Sequence, residues 1–266
     1  MAETENLDYA RRFGGIARLY GEEGLARLSQ AHVCVVGIGG VGSWAAEALA
    51  RSAVGEVTLI DLDHVTESNV NRQIHALDGE FGRPKVDAMA RRLRAINPVC
   101  QVHPVEEFVE QNNLDLLIDG RLDYVVDCID TYRTKAALIA HCRRRRIPVI
   151  TVGGAGGQVD PLKITVADLS RSEQDPLLSK TRKLLRREYA FSRNPKRRFS
   201  VPCVYSCEQQ RQPEGEGREV CGGESAGIGI TGLNCAGYGS SVAVTATFGL
   251  VAVSHVLSRI AVSHRS

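Results

Sequence analysis

Residues 31–36 (AHVCVV) form a short apolar run that ends in Gly37-Ile38-Gly39-Gly40-Val41-Gly42, after which Trp44, Ala45, Ala48 and Leu49 recur at helical spacing. A run too short for a helix, a glycine turn and an apolar helical face read as strand, tight turn, helix. Gly55 ends that helix, and EVTLI at 56–60, closed by Asp61, is a second strand. Strands joined through a helix cannot pair as a hairpin; the crossover makes them parallel, and parallel strands need helices on both faces. This one unit therefore confines the chain to the α/β class with a doubly wound, mostly parallel sheet.

The alternation continues. A helix at 84–97 carries Val86, Met89, Ala90, Leu93 and Ile96 on one face, with Pro84 suited to its first turn and Pro98 stopping it. Strands at 101–105, 124–128 and 148–152, with a helix at 135–145 between the last two, complete a Rossmann-like nucleotide-binding half over 11–155. Beyond Gly153 lie a GGAGG turn at 153–157, a strand at 162–166, a basic stretch and a Gly/Glu-rich loop at 212–224. At 266 residues the chain fits one domain, 1–266, with 156–266 as a substrate-specific C-terminal extension and a basic insertion at about 167–224.

Glycine turns of this type also serve purely structural ends, but here Asp61 lies 19 residues after Gly42 at the end of the next strand, where a carboxylate accepts ribose hydroxyls. Gly37, Gly39, Gly40, Gly42 and Asp61 are thus candidate nucleotide contacts. Asn69-Val70-Asn71-Arg72-Gln73 supplies amide and guanidinium donors suited to a polyphosphate rather than a nicotinamide. Lys85 follows Pro84 at a helix N-terminus, where a cation opposes the dipole unless an anion sits there. The competing reading sends Lys85 to water and pairs Arg72 with Asp63. In Asp127-Cys128-Ile129-Asp130, at the carboxyl edge of the sheet, Asp130 is placed to hold magnesium for adenylyl transfer, or else to cap a helix beginning near Thr134. The chain contains no GxxxxGK[ST], which argues against a P-loop enzyme.

A formal net charge of +2 conceals an asymmetry, since 180–198 holds nine Lys and Arg against Glu188 alone. Asp175 as N-cap and Pro176 at the first position open a helix with Leu177, Leu178, Thr181, Leu184 and Leu185 on one face and Lys180, Arg182, Lys183, Arg186 and Arg187 around the rest; Lys196, Arg197 and Arg198 follow. Such a face suits an RNA backbone, an anionic lipid surface or plain solvation. The run at 143–146 falls at a helix C-terminus, where cations complement the dipole. Residues 225–258 lack any formal charge, and 242–257 is read as a buried helix in preference to a membrane span, since Thr245, Thr247, Ser254 and His255 interrupt it. An acidic N-terminus without an apolar run predicts a cytoplasmic protein, and the eight scattered cysteines predict free thiols. Cys203 and Cys235 are nucleophile candidates, with core packing the preferred role.

Taken in order, GIGGVG at 37–42, LIDLDHV at 59–65, SNVNRQ at 68–73, RPKVDAMARRLRAINP at 83–98 and DCID at 127–130 resemble the ubiquitin-activating-enzyme-like adenylyltransferases. RRFGGIARLYG at 11–21, WAAEALARS at 44–52, RQIHAL at 72–77, GGAGGQVDP at 153–161 and TATFGLVAVSHVL at 245–257 are similar to the tRNA threonylcarbamoyladenosine dehydratase branch, extending the resemblance to nearly the whole chain. The resemblance implies ATP-dependent adenylation of the threonyl carboxylate of the modified adenosine beside the anticodon, then ring closure with release of AMP. It implies ATP and Mg2+ as cofactors, with Asp61 on ribose, Asn69, Arg72, Gln73 and Lys85 on phosphates, and Asp130 on magnesium; Arg72, Lys85 and Asp130 are the catalytic candidates. Implied partners are tRNA, a second copy in a homodimer and a sulfur-transfer protein; the charge pattern assigns the tRNA contact to Lys180, Arg182, Lys183, Arg186, Arg187, Lys196, Arg197 and Arg198, and the apolar segment leaves membrane contact as the less favoured reading. The chain departs from the family in three places. Gly14-Gly15 stands where relatives carry an arginine that reaches the partner's site, leaving Arg12 or Arg18; Cys203, Cys207, Cys221 and Cys235 form no CxxC pair for zinc; and Thr131 replaces an amide. Activation of the C-terminal glycine of a small sulfur carrier is the second reading, and a non-catalytic nucleotide-binding scaffold the third.

Overall fold

In the computed structural model, which describes residues 8–211 and 238–262, the chain enters through α1 (Tyr9–Gln30) and builds the predicted crossover from β1 (His32–Val36), α2 (Gly42–Arg51) and β2 (Glu56–Ile60). There follow α3 (Lys85–Ile96), β3 (Gln101–Val105), the single turn α4 (Leu114–Leu117), β4 (Tyr124–Asp127), α5 (Tyr132–Arg145) and β5 (Val149–Val152). The C-terminal half adds β6 (Ile164–Asp168), α6 (Pro176–Glu188), β7 (Pro202–Ser206) and α7 (Val242–Val262). One seven-stranded sheet results, ordered β3-β2-β1-β4-β5-β7-β6, in which only the β6–β7 pair is antiparallel.

The order places the ligand crevice. From β1 the chain steps outward to β2 and β3, then crosses back to lay β4 and β5 on the other side, so the loops leaving β1 and β4 diverge and open a cleft above their C-terminal ends. Gly37, directly after β1, sits at φ 89°, and a Cβ there would come within 3.0 Å of the Cys128 carbonyl oxygen after β4. Only glycine fits that close approach.

Strands of the central sheet bury both faces, which is why they read as unbroken apolar runs. Val33 and Val35 of β1 join a layer with α2, α3 and α7, whereas Cys34 and Val36 join α5 and α6 on the other side. Helix α7 turns Val244, Phe248, Ala252, Val253 and Val256 inward against α1 and α2. Gly249 permits the contact, since a Cβ would stand 2.6 Å from the Val41 carbonyl oxygen. The 242–257 run is thus a helix with one face packed against the protein, while Val242 and Leu250 stay exposed, so it is less buried than its composition predicts; it continues to Val262, and among the described residues it alone is long and apolar enough to cross a membrane.

Several expectations change. Helix α1 was not legible: Phe13, Ala17, Gly24 and Leu28 are its buried positions, but glycines punctuate it and it breaks at Gly21, φ 78°. Helix α5 begins at Tyr132 rather than 135, because its first turn faces the cleft and shows no apolar period. Strand β6 covers Ile164–Asp168 rather than 162–166. The stretch read as an insertion returns to the sheet, where β7 lies between β5 and β6. The 212–224 loop, Cys221 and Cys235 lie outside the described residues.

Candidate active site

Eight residues singled out from sequence, Gly37, Gly39, Gly40, Asp61, Arg72, Gln73, Lys85 and Asp130, line one cavity of about 250 Å³ at the C-terminal ends of β1 and β4. Gly42 and Asn69 are outside its lining. At Gly42 a Cβ would fall 1.8 Å from the Gly37 carbonyl oxygen, so this glycine lets α2 start hard against the turn. Asn69 closes the 3-10 turn Glu67–Asn69: its Oδ1 accepts the Thr66 N–H at 3.1 Å, and its carbonyl accepts the Arg72 and Gln73 N–H groups at 3.1 and 2.9 Å. It thereby positions the two residues that do reach the cavity.

The Asp61 carboxylate accepts the N–H of Ile38, inside the glycine loop, at 2.6 Å and that of Asp63 at 2.8 Å. Burial pushes its carboxyl above the usual carboxylate range, opposed by Lys85 and these two donors. Lys85 is buried, and its Nζ bonds Asp63 Oδ2 at 2.7 Å. The alternative that sent Lys85 to water and paired Arg72 with Asp63 is therefore replaced by a Lys85–Asp63 pair. Arg72 instead lays its stem over Gly40, where a Cβ would stand 3.0 Å from its Cγ, and spends one nitrogen on the Ser68 carbonyl at 2.7 Å and Asn71 Oδ1 at 3.0 Å. Its Nε and Nη2 donate to nothing among the described residues. The Gln73 carboxamide is buried, with its Oε1 unpartnered among the described residues.

Asp130 is presented by a charge buried beneath it. Asp127 and Lys135 are both fully buried and pair at 2.9 Å, Thr151 Oγ1 donates to Asp127 at 2.6 Å, and Asp127 Oδ1 accepts the Ile129 N–H at 3.1 Å, shaping the turn. Asp130 emerges exposed at the cavity rim, with Thr131 Oγ1 donating to it at 3.5 Å. It does not cap α5, whose N-cap is Thr131. Its carboxylate, in a cavity that Arg72 and Lys85 also line, is the kind of donor a hard divalent ion takes together with substrate phosphates.

Sequence reading missed part of the lining. Leu62, Phe108 and Val109 form an apolar wall, and Ser240, just before α7, and Thr245, in its first turn, also line it, with Thr245 Oγ1 buried and unpartnered among the described residues. The hydroxyl interrupting an apolar run was the one signal for Thr245. Asp175 also does more than cap α6 through the Leu178 N–H (2.8 Å), since its Oδ2 accepts the Gly154 N–H at 2.8 Å and draws the 153–157 turn under the cleft.

Of the eight proposed RNA contacts, Lys180, Lys183, Arg187, Lys196, Arg197 and Arg198 are exposed, with Arg187 paired to Glu188, and the other two are partly buried. Arg182 is half-buried and bonded to Ser172 Oγ, and Arg186 lies over the Phe199 ring at 5.2 Å, because both are next in sequence to buried positions of α6, Thr181 and Leu185. Arg143 and Arg144 share a depression with Arg198, so two basic runs distant in sequence form one surface. Arg12 donates to the Ile96 carbonyl at 2.7 Å, whereas Arg18 is exposed and makes no hydrogen bond or ion pair among the described residues. Cys203 is buried and its thiol is pushed up to about 12, mainly by burial, which leaves it a core residue rather than a nucleophile.

The ThiF family profile matches residues 9–264. A tRNA threonylcarbamoyladenosine dehydratase of Haemophilus influenzae is 49% identical over 98% of this chain and 96% of its own length. The solved structure of the Escherichia coli tRNA N6-threonylcarbamoyladenosine dehydratase in complex with ATP superposes with a TM-score of 0.85 at 47% identity, covering 96% of each chain. A molybdopterin-synthase adenylyltransferase of Salmonella typhimurium is 36% identical over 57% of this chain and 59% of its own.

Proposed function

The chain belongs to the ThiF family, and from that premise we propose that it is an ATP-dependent tRNA threonylcarbamoyladenosine dehydratase, a ligase-type enzyme that cyclises the modified adenosine at position 37. The observation that carries this reading is convergence: the glycine turn, Asp61, Arg72, Lys85 and Asp130 meet in one cavity, and α6, whose Leu177 lines that cavity, leads from it onto a basic surface. In the adenylyl step a threonyl carboxylate oxygen attacks the α-phosphorus of ATP and pyrophosphate leaves. Attack on the acyl carbon from within the same modification then expels AMP and closes the ring.

The residues divide the work. Asp61 accepts the ribose hydroxyls with the lone pairs its two backbone donors leave free, and the apolar wall of Leu62, Phe108 and Val109 receives the base. The unspent N–H groups of Arg72, together with Lys85 and the amides at the start of α2, hold the phosphates and meet charge as it develops on the departing pyrophosphate. Asp130 would hold Mg2+, which when bound supplies further neutralisation of that charge. Exposed cations from Lys180 to Arg198 bind the tRNA backbone. The working unit is a cytoplasmic homodimer, in which Arg18, without a hydrogen bond or ion pair among the described residues, is the arginine offered to the partner's site.

The test is ATP consumption with tRNA bearing threonylcarbamoyladenosine. AMP release and loss of that nucleoside, both dependent on the modified tRNA, are expected. Turnover driven instead by a carrier protein with a free C-terminal glycine would place the chain with the sulfur-carrier activators, a reading the +8 segment does not favour. No ATP cleavage under either condition would leave a nucleotide-binding scaffold.

A further inference from the structure

At the end of the sheet opposite the cleft, β1, β2 and β3 put three side chains with metal-binding atoms on one face. The parallel register sets His32 beside Glu56 and Thr58 beside His103, and the two-residue period of a strand turns all four the same way. Glu56 Oε1 lies 3.4 Å from His32 Nδ1 and 2.8 Å from His103 Nε2, and the three ligand atoms fall within 4.8 Å of one another. The His32 ring is held by its other nitrogen, since Nε2 stands 2.8 Å from Thr58 Oγ1. Glu56 and His103 remain partly open to solvent, so an ion has a route in.

We propose that His32, Glu56 and His103 bind one divalent ion of the zinc class, with water completing the coordination. Two imidazoles and a carboxylate with an open fourth position are a donor set zinc takes, and tetrahedral bonds of about 2.0–2.1 Å place neighbouring ligand atoms about 3.3–3.4 Å apart. The His32–Glu56 spacing already has that value; the His103–Glu56 pair must open by about half an ångström and the two imidazole nitrogens, within 4.8 Å of each other, must settle to the same spacing, which rotation of the exposed His103 side chain on the edge strand allows. Thr58 completes the arrangement: accepting from Nε2–H, it fixes the tautomer that turns the Nδ1 lone pair toward the ion. Glu56 supplies one negative charge, and the nearby Arg121 is bound to Asp119 at 2.7 Å. Three strands distant in sequence would thus be clipped at their N-terminal ends, about 15 Å along β1 from the nucleotide cavity.

The test uses the tag-free full chain, stripped of metal, with no nucleotide present. Titration with Zn2+ alone is expected to give one equivalent bound with a rise in melting temperature, and Co2+ in its place visible d–d bands of a nitrogen and oxygen site without thiolate charge transfer. His103→Asn and Glu56→Gln are each expected to weaken binding by more than about 100-fold, and Thr58→Val by about 10–100-fold. His103 is exposed, so His103→Asn keeps the metal-free melting temperature and guards against a folding artefact in the other two. Absence of Zn2+ binding by the wild type, binding that survives both His103→Asn and Glu56→Gln, or a thiolate-dominated Co2+ spectrum would overturn the proposal and leave the three side chains as a hydrogen-bonded His–Glu–His cluster.

Discussion

Salt dependence separates a tRNA-binding surface from a merely solvated one, and the structure says which cations to remove. Lys183, Lys196 and Arg197 are exposed and have no ion pair among the described residues, whereas Arg187 is paired with Glu188 at 2.6 Å and Arg186 is stacked on Phe199. Each phosphate contact adds about 0.7–0.9 to the magnitude of the slope of log affinity against log salt, so replacing all three by Ala should flatten it by about 2.1–2.7. A fourfold rise in salt would then cost the variant about 20–40-fold less affinity than it costs the wild type. Fluorescence anisotropy with labelled tRNA over a salt series reads this directly, with ATP affinity as the unchanged control. Arg186→Ala should leave the slope alone and lower stability by about 0.5–1 kcal/mol through the lost contact with Phe199. A triple variant that keeps both slope and affinity would refute the assignment and move the docking surface to Arg143 and Arg144.

Three further outcomes are expected. Asp61→Asn should weaken ATP binding by about 1.5–3 kcal/mol, measured by calorimetry, because the amide has one acceptor oxygen where the carboxylate has two for the Ile38 and Asp63 N–H groups and the ribose hydroxyls; unchanged affinity would remove Asp61 from the ribose site. Asp130→Asn and Lys85→Ala should each lower adenylation turnover by about 10²–10³ while leaving tRNA affinity intact, and equal losses in both would make them structural. His75 is buried with both ring nitrogens unpartnered among the described residues, and burial, with Lys85 and Arg92 adding to it, brings its pKa down to about 4. Between that value and the ordinary 6.5 the unfolded chain binds a proton the folded one refuses, so this contribution is complete above pH 6.5 and falls by about 3 kcal/mol as pH drops towards 4. Urea unfolding across that window should show His75→Gln missing this part of the pH dependence, and identical profiles for the two proteins would contradict the assignment.

Local pattern carried most of the nucleotide half. The glycines after β1, Asp61 after β2 and the DCID turn after β4 are each set by a strand end a few residues away, so period and turn chemistry located them and the parallel topology gathered them at one edge. Long-range placement was not readable. Lys85 and Asp63 are 22 residues apart, and which acid meets which base depended on Arg72 being captured over Gly40. Arg182 and Arg186 look like their neighbours in sequence and differ only in facing Ser172 and Phe199. Thr245 reaches the cleft because α7 docks on α2, and Asp175 acts on it only through the 153–157 turn, whose Gly154 N–H it holds. Period and turn chemistry report what a residue does to its own backbone; burial, pairing and the far wall of a cavity are contacts between segments, and these exist only once the sheet has brought the segments together.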